Sequence, residues 1–563
     1  MKVVIIGGVA GGATAAARIR RLDEKAEIVV FERSGYISYA NCGLPYYVGD
    51  VITDKDELTL QSPAGFKRRF DIDVKIRHEV TAIDKANKTV KVKNLESGEE
   101  FEESYDKLVL APGAKPFVPD IPGAYSEKIF SVRTVEDTFA IKKYIQKKQP
   151  KSAVVIGGGF VGVEMAENLS ALGIKVTLAE AAKQLLSPFD GDMAAFIHAE
   201  VRRHGINLLL GKGVKGFAEK EGMLEVYIDG EKTLRTDMAI MAVGVTPETS
   251  LAEKAGLELG LRKSIAVNER METSAKDIYA VGDAVQVKNF VTGEYFLAAL
   301  AGPANKQARI AADNICGIKS EYKGAQGSSV VKVFDITAAS TGINERTAEK
   351  SGIKYDKVIL SPMSHAGYYP GGKVMTVKVL FEKESFRLLG AQIVGYDGVD
   401  KRIDVFATAA RAGLDARELK DIDLAYAPPY SSAKDPVNMA GFMIDNVANG
   451  TLKQWFVEDE KNLPRDGSVT LLDTRTPGEY KRGHVKDFIN IPVDELRGRL
   501  DEIEKDKPVY VICQSGLRSY IASRILEGNG YTAYNFAGGF RFYDAIMNDK
   551  ALIEKEFPCG MDR

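Results

Sequence analysis

Cysteine is scarce in this chain: Cys42, Cys316, Cys513 and Cys559 are the four in 563 residues. They are too few and too scattered for a disulfide framework or a zinc site, so no metal centre is expected. Such scarcity fits a reducing compartment, where a thiol in a distinctive setting is more often chemical than structural. An excess charge of either sign is also missing. Lys and Arg total 76 against 78 Asp and Glu, a net charge of −2. That balance excludes bulk attraction to nucleic acid or to an anionic membrane. No run approaches the ~18–20 apolar residues that a membrane-crossing helix needs. The N-terminus, Lys2 followed by VVIIGGVAGGATAAA, has the outline of a secretion signal, but Arg18, Arg20 and Arg21 follow at once. A soluble, cytoplasmic protein is expected. With 45% hydrophobic residues, a disordered chain is excluded as well.

Glycine is plentiful, 53 residues, and it clusters after apolar runs. At ~150 residues per domain the length predicts roughly four domains. Two segments share one pattern. Lys2–Ile6 is a β-branched run followed by GGVAGG, an Ala-rich helix and EIVVFE; Ala153–Ile156 is followed by GGGFVGVE, MAENLSALG and KVTLAE. Strand, glycine turn, helix and strand make a βαβ unit that holds a dinucleotide. In the second unit Gly157, Gly159 and Gly162 complete G-x-G-x-x-G, with the pyrophosphate expected at the helix N-terminus. Glu180, ending KVTLAE, is placed to accept from a ribose 2′-OH and repels a 2′-phosphate, which favours NADH over NADPH. The first unit has Gly7, Gly8 and Gly12, but Val9 stands at the middle glycine; Glu32, ending EIVVFE, restores the reading. Two dinucleotide sites in one chain point to two cofactors exchanging electrons, one of them a flavin.

The chain changes character twice more. From about Ser328 short strands (VVKVF, KVILSPM, VMTVKVLFE) precede the helical IDVFATAARAGL, and a polar stretch near 446–466 reads as a linker. The last ~95 residues alternate strand and helix again, a small parallel α/β domain. Within it Cys513 ends PVYVI and opens CQSGLRS just before a helix. A turn of that kind directs successive N–H groups inward and favours an anionic persulfide. Cys316, in an Ala-rich helix, reads as core. Cys559, in EFPCGMDR, stays open between a mobile resolving thiol and an ordinary terminal residue.

Cys42 lies in SYANCGLPYY, a constrained loop. With both glycine units, YDKLVLAPG ending at Gly113, and TSAKDIYAVGD ending at Asp283, it resembles the pyridine-nucleotide disulfide oxidoreductases from Met1 to about Ala448. The resemblance implies FAD held by Gly7, Gly8, Gly12, Glu32, Arg33, Asn41, Gly113 and Asp283. It places NADH at Gly157, Gly159, Gly162, Glu180 and Gly244. Two-cysteine members pair two nearby thiols, but the next cysteine here is Cys316. A lone redox thiol must pair with an external sulfur or pass through a sulfenic acid. Single-cysteine members include coenzyme A disulfide reductases and NADH oxidases or peroxidases. The peroxidase-like ones carry a His in the first glycine loop, where this chain has Ala10.

SHAGYYPG and AYAPPYSSAKDP are similar to segments through which the coenzyme A disulfide reductases supply two tyrosines across a homodimer; Tyr368 and Tyr426 match. Arg18 and Arg21, three residues apart on the first helix, can face one way and bind coenzyme A phosphates, with Lys434 a weaker candidate and Ser38 and Asn41 also expected at coenzyme A. The CQSGLR loop (Cys513, Gln514, Ser515, Gly516, Leu517, Arg518), with Asp473, Arg475, Glu479 and His484 upstream, resembles a rhodanese. Its four residues between Cys and Arg suit one sulfur atom rather than a phosphoryl group.

The expected fold is α/β. It comprises an FAD domain (1–115 and 245–325), an NAD(P)H domain (116–244), an α+β dimerisation domain (326–445), a linker (446–466) and a rhodanese-like domain (467–563). The expected activity is NADH-dependent reduction of CoA persulfide, polysulfide or CoA disulfide through Cys42, with Cys513 carrying sulfane sulfur. The alternative is an NADH oxidase or peroxidase using a cysteine sulfenic acid. The expected partners are a second copy of the chain and small-molecule thiols, not nucleic acid or membrane.

Overall fold

The protein, seen here as a computed structural model, is described over residues 1–555; Cys559 lies outside the described residues. It divides into two compact units, Met1–Ala182 with Ile206–Ala325, and Lys183–Gly205 with the chain from Gln326 onward.

The first unit holds two five-stranded parallel sheets. The first runs in the order Ile278–Ala280, Lys107–Leu110, Lys2–Ile6, Glu27–Glu32, Asp73–Ile76. Its central strands carry apolar runs, residues 3–6 and 28–31, that are buried throughout. On one face the helices Ala10–Leu22 and Ala301–Ile315 pack together. Ala15, Ala16, Ala308, Ala311 and Ala312 are all fully buried, and residues this small let the two backbones approach closely. Arg18 donates to Asp313 at 2.8 Å and ties the pair. The second sheet orders Ile129–Phe130, Met238–Met241, Ser152–Ile156, Lys175–Glu180 and Asn207–Leu210. Residues 78–104 form a three-stranded antiparallel sheet.

The second unit contains a five-stranded antiparallel sheet (Ser329–Val333, Ile336–Gly342, Leu388–Gly395, Thr376–Glu382, Tyr355–Leu360) with the helices Val399–Ala412 and Pro436–Ala448. It also contains a parallel sheet ordered Gln454–Trp455, Ala533–Phe536, Val509–Ile512, Thr470–Asp473, Ile489–Asn490. Here two expectations differ from what is found. The stretch 446–466 is not simply a polar linker. Gln454–Trp455 is an edge strand of the parallel sheet, because the chain's one tryptophan buries its ring 4.4 Å from that of Phe536. One large aromatic outweighs the polar residues around it.

The helix Gly191–Arg203, expected within 116–244, packs in this second unit instead. The buried Lys378 ammonium explains its placement, drawing in Asp192 (2.7 Å), Asp190 (3.0 Å) and Glu345. Burial pulls that ammonium toward neutrality, and the three carboxylates more than offset it, leaving Lys378 raised and charged. Further along the same helix His198 and Arg202 meet Asp549 at 2.8 and 2.5 Å. Among the described residues no helix is long and apolar enough to cross a membrane.

Candidate active sites

Each glycine turn is closed too tightly for a side chain. A Cβ on Gly12 would lie 1.8 Å from the Gly7 carbonyl oxygen, and one on Gly162 would lie 1.8 Å from that of Gly157. Gly7 and Gly157 also have φ of +99° and +105°, which glycine adopts at little cost. Beside the second turn the space is open: a Cβ on Gly159 or Gly244 would meet nothing within 4 Å. The helices that follow, Ala10–Leu22 and Phe160–Ala171, have no side-chain cap and no acid in their first turn. Their leading N–H groups are thus left for an anion, which fits two pyrophosphates. Val9 occupies the N-cap of the first helix.

Both acids are preset by the turns they serve. Glu32 accepts from Gly8 N and Ser34 N, each at 2.8 Å, and Glu180 accepts from Gly158 N (2.5 Å) and Ala182 N (2.6 Å). Each carboxylate stands at a strand end beside its turn, where a ribose hydroxyl would replace a backbone donor. Asp283, in the one-turn helix Gly282–Ala284, is pushed up by burial, with Arg133 pulling it partly back. Arg33 is exposed, its guanidinium 3.8 Å from Glu248.

Cys42 sits on the turn Asn41–Gly43 ahead of the short helix Leu44–Val48, and it is exposed. Ser38, at φ +44°, donates its N–H to Gly8 O (2.8 Å) and so fastens the cysteine loop to the first glycine turn. Partial desolvation first, then the charges of Glu164 and Asp283, raises the Cys42 thiol above its ordinary value. Glu164 accepts from Tyr46 Oη at 3.3 Å, and burial, more than the neighbouring Glu167, raises its carboxyl to about 7. Arg133 reaches the Tyr39 hydroxyl and donates to Ala114 O (2.7 Å); Asn41, with its amide oriented to suit, pairs with Arg133 at 3.1 and 3.2 Å.

Of the residues expected at coenzyme A, Arg21 and Lys434 are exposed, whereas Arg18 is held by Asp313. Arg18 and Arg21 therefore do not present two equally free cations. Arg20, between them, is buried on the carbonyls of Phe70, Glu24 and Asp71.

In the second unit Tyr368 and Tyr426 point their hydroxyls at each other, 2.6 Å apart, although 77% and 45% exposed. The hydrogen bond to Tyr368 raises the Tyr426 hydroxyl. In the parallel sheet Cys513 follows the strand Val509–Ile512 and is buried. Its sulfur accepts from Gly516 N and Ser519 Oγ, both at 3.2 Å. Gly516 turns the loop at φ +97° into the helix Leu517–Gly528. Arg518 closes a two-pronged ion pair on Glu479 (2.7 and 2.8 Å), which holds that carboxyl down at about 2. Arg475 lies on Asp473 and over the Phe540 ring, with Gln514 3.4 Å away. Ser515 meets Gly539, where a Cβ would come within 2.6 Å of its nitrogen.

Glu164, Tyr46, Arg133 and Ser519 escaped the sequence reading. Glu164 left one signal, a carboxylate at the start of the apolar helix FVGVEMA. Ser519 closes the CQSGLRS segment, and Arg133 left none.

Two dinucleotide turns, an exposed thiol raised by the charges of two half-buried carboxylates, and a second, buried thiol that accepts from Gly516 N and Ser519 Oγ define a nucleotide-dependent sulfur oxidoreductase. Family models match in three places: pyridine nucleotide-disulphide oxidoreductase over residues 1–298, its dimerisation domain over 328–436, and a rhodanese-like domain over 457–545. The chain belongs to the pyridine nucleotide-disulphide oxidoreductase family. It is 38% identical to an NADH oxidase of Methanocaldococcus jannaschii and to a coenzyme A disulfide reductase of Staphylococcus haemolyticus, each over 78% of this chain and 98% of the relative. Its fold is similar to the Bacillus anthracis protein CoADR-RHD (TM-score 0.95, 47% identity, 97% of this chain and 98% of that one). It is also similar to a NAD-dependent persulfide reductase from A. fulgidus (TM-score 0.90, 39% identity, 96% of this chain and 100% of that one).

Proposed function

We propose that this protein reduces coenzyme A persulfide, and CoA disulfide or polysulfide by the same chemistry, with NADH as electron donor and Cys42 as the single redox thiol. One observation carries the reading: Cys42 is exposed on a loop fastened to the first dinucleotide turn, with no second cysteine in the sequence before Cys316. Its disulfide partner must therefore come from the substrate. FAD, held at the first dinucleotide turn, would supply the two-electron transfer from NADH to the disulfide on Cys42.

The chain's own residues do the rest. The Cys42 thiolate attacks the CoA-bound sulfur of CoA persulfide, forming Cys42–S–S–CoA and expelling hydrosulfide. From CoA disulfide it expels the CoA thiolate instead. Two-electron reduction of the mixed disulfide returns the Cys42 thiolate and CoA thiol. Gly7, Gly8, Gly12, Glu32, Arg33, Asn41, Gly113 and Asp283 hold FAD; Gly157, Gly159, Gly162, Glu180 and Gly244 hold NADH. Arg21, Ser38 and Asn41 hold CoA, Lys434 offers a further cation for its phosphates, and Arg18 stays committed to Asp313. The dimerisation domain builds a homodimer in which Tyr368 and Tyr426 of one copy face Cys42 of the other and protonate the departing sulfur. Cys513 carries sulfane sulfur as a persulfide. The chain comprises FAD, NAD(P)H, dimerisation and rhodanese domains, with Gly191–Arg203 in the second unit and Trp455 in the rhodanese domain. A reducing cytoplasm suits thiols of this kind.

Glu164 sets the pH at which the thiolate is available. As pH rises through about 7 Glu164 ionises, and its charge then opposes ionisation of Cys42. Glu164→Gln removes that charge, so the Cys42 inflection in kcat/KM should move to lower pH, by on the order of one unit. An unmoved inflection would remove Glu164 from the account. The function itself is tested by following NADH oxidation with CoA persulfide, CoA disulfide, polysulfide, hydrogen peroxide and dioxygen in parallel. Rapid turnover of the persulfide is expected; rapid turnover of peroxide or dioxygen alone would favour the oxidase.

A further inference from the structure

The two tyrosine-bearing loops, Ser364–Gly372 and Ala425–Ser431, are loop segments whose tyrosines stand in solvent, yet their hydroxyls meet at 2.6 Å. What fixes them lies beneath. Arg402, on the helix Val399–Ala412, is 1% exposed and uses its whole guanidinium on this region. Nη2 donates to Ser364 O (2.9 Å) under the Tyr368 loop. The same nitrogen lies 3.2 Å from Tyr430 O and 3.1 Å from Ser431 Oγ under the Tyr426 loop, its two N–H groups shared among these acceptors. Nε and Nη2 reach Asp435 Oδ2 at 3.2 and 3.0 Å, and Nη1 reaches Gly398 O at 3.1 Å.

Asp435 is buried too. It accepts from Ser431 Oγ (2.6 Å) and caps the helix Pro436–Ala448 through Val437 N (3.0 Å). One backbone bond, Ala366 N to Ser431 O at 2.9 Å, joins the loops directly. The fit around the guanidinium is close: a Cβ on Gly398 would fall 2.0 Å from Nη1. A buried ion pair is a poor source of net stability, since desolvating both charges consumes most of their attraction. A planar fork that binds two loops at fixed angles is better suited to holding geometry.

We propose that Arg402 is a positioning residue for sulfur reduction: by clamping Ser364 and Tyr430–Ser431 it holds Tyr368 and Tyr426 as one paired proton donor. This rests on the reading that these tyrosines serve the Cys42 reaction. Lysine keeps the charge at position 402 but cannot span both loops and Asp435.

The test is a cycle on the full-length holoenzyme with four forms: wild type, Arg402→Lys, the Tyr368→Phe/Tyr426→Phe double variant, and all three changes together. Steady-state NADH oxidation with CoA persulfide is read at saturation, alongside thiosulfate sulfurtransferase activity at Cys513. The expected result is that Arg402→Lys lowers kcat by about a hundredfold with KM for NADH unchanged, the scale of an ångström misplacement. The triple variant should be no worse than the double, because the arginine acts only through the tyrosines. Sulfurtransferase activity and the thermal melting transition of the full chain should both stay at their wild-type levels, which shows that the rhodanese domain and the rest of the chain are folded. Ser431→Ala, which removes only the hydroxyl linking Arg402 to Asp435, should fall between wild type and Arg402→Lys.

A wild-type kcat in Arg402→Lys, or a further loss when it is added to the double variant, would overturn the positioning role. So would loss of sulfurtransferase activity in Arg402→Lys together with a wild-type kcat in Ser431→Ala. Full activity in the double tyrosine variant would instead overturn the tyrosine reading beneath it.

Discussion

Cys42→Ser is expected to lower NADH-dependent reduction of CoA persulfide by about a thousandfold or more, while thiosulfate sulfurtransferase activity at Cys513 stays unchanged. Serine keeps the shape of the loop but forms no disulfide, so the covalent intermediate is lost and no other side chain can replace it. Cys316 is the half-buried residue that ends the helix Ala301–Ile315, its thiol raised by burial and then by Asp23 and Asp313. Such a thiol is not a substitute. The nucleotide turns are untouched in the variant, so NADH should still bleach the bound flavin in a stopped-flow trace. If the variant kept full persulfide turnover, the chemistry would not pass through Cys42.

Cys513→Ser is expected to separate substrates rather than abolish turnover. CoA persulfide reaches Cys42 directly, so its reduction should stay within about twofold of wild type. Thiosulfate-driven NADH oxidation in the presence of CoA should fall by about a hundredfold or more. The reason is the sulfur balance. The Cys513 thiolate takes the outer sulfur of thiosulfate, releasing sulfite, and hands it to the CoA thiol as CoA persulfide. Gly516 N and Ser519 Oγ, both 3.2 Å from the sulfur, are the donors that would hold the anion while it waits. Coupled assays with and without added CoA persulfide measure both rates in one experiment. Equal loss with both substrates would mean that Cys513 supports the reductase in some other way.

Much of this was legible in the chain because the motifs are local. A β-branched run, a glycine turn and a helix opening within ten residues are set by short-range sterics, so both dinucleotide turns and the Cys513 loop lie where the pattern places them. Glu32 and Glu180 could be found by counting along the chain, since a strand ends at a fixed distance after its helix. Other features depend on chain segments far apart. Trp455 joins a sheet through Phe536, 81 residues later, and its polar neighbours conceal that in sequence. The helix Gly191–Arg203 is placed by Lys378 and Asp549, which no local window contains. Arg402 lies on an ordinary amphipathic helix, and its distant partners at Ser364, Tyr430, Ser431 and Asp435 are recognisable only once folded. Arg18 shows the opposite error: a helix-face pattern suggested a free cation, and the neighbouring helix supplies Asp313.

The central claim is that Cys42 alone forms the disulfide with substrate. It is tested most directly by intact mass and peptide mapping of the protein after one equivalent of CoA persulfide, quenched by acid before NADH is added. The account predicts a coenzyme A adduct on the Cys42 peptide, released by dithiothreitol and lost in Cys42→Ser. An unmodified Cys42 peptide, or coenzyme A carried on another cysteine, would contradict it.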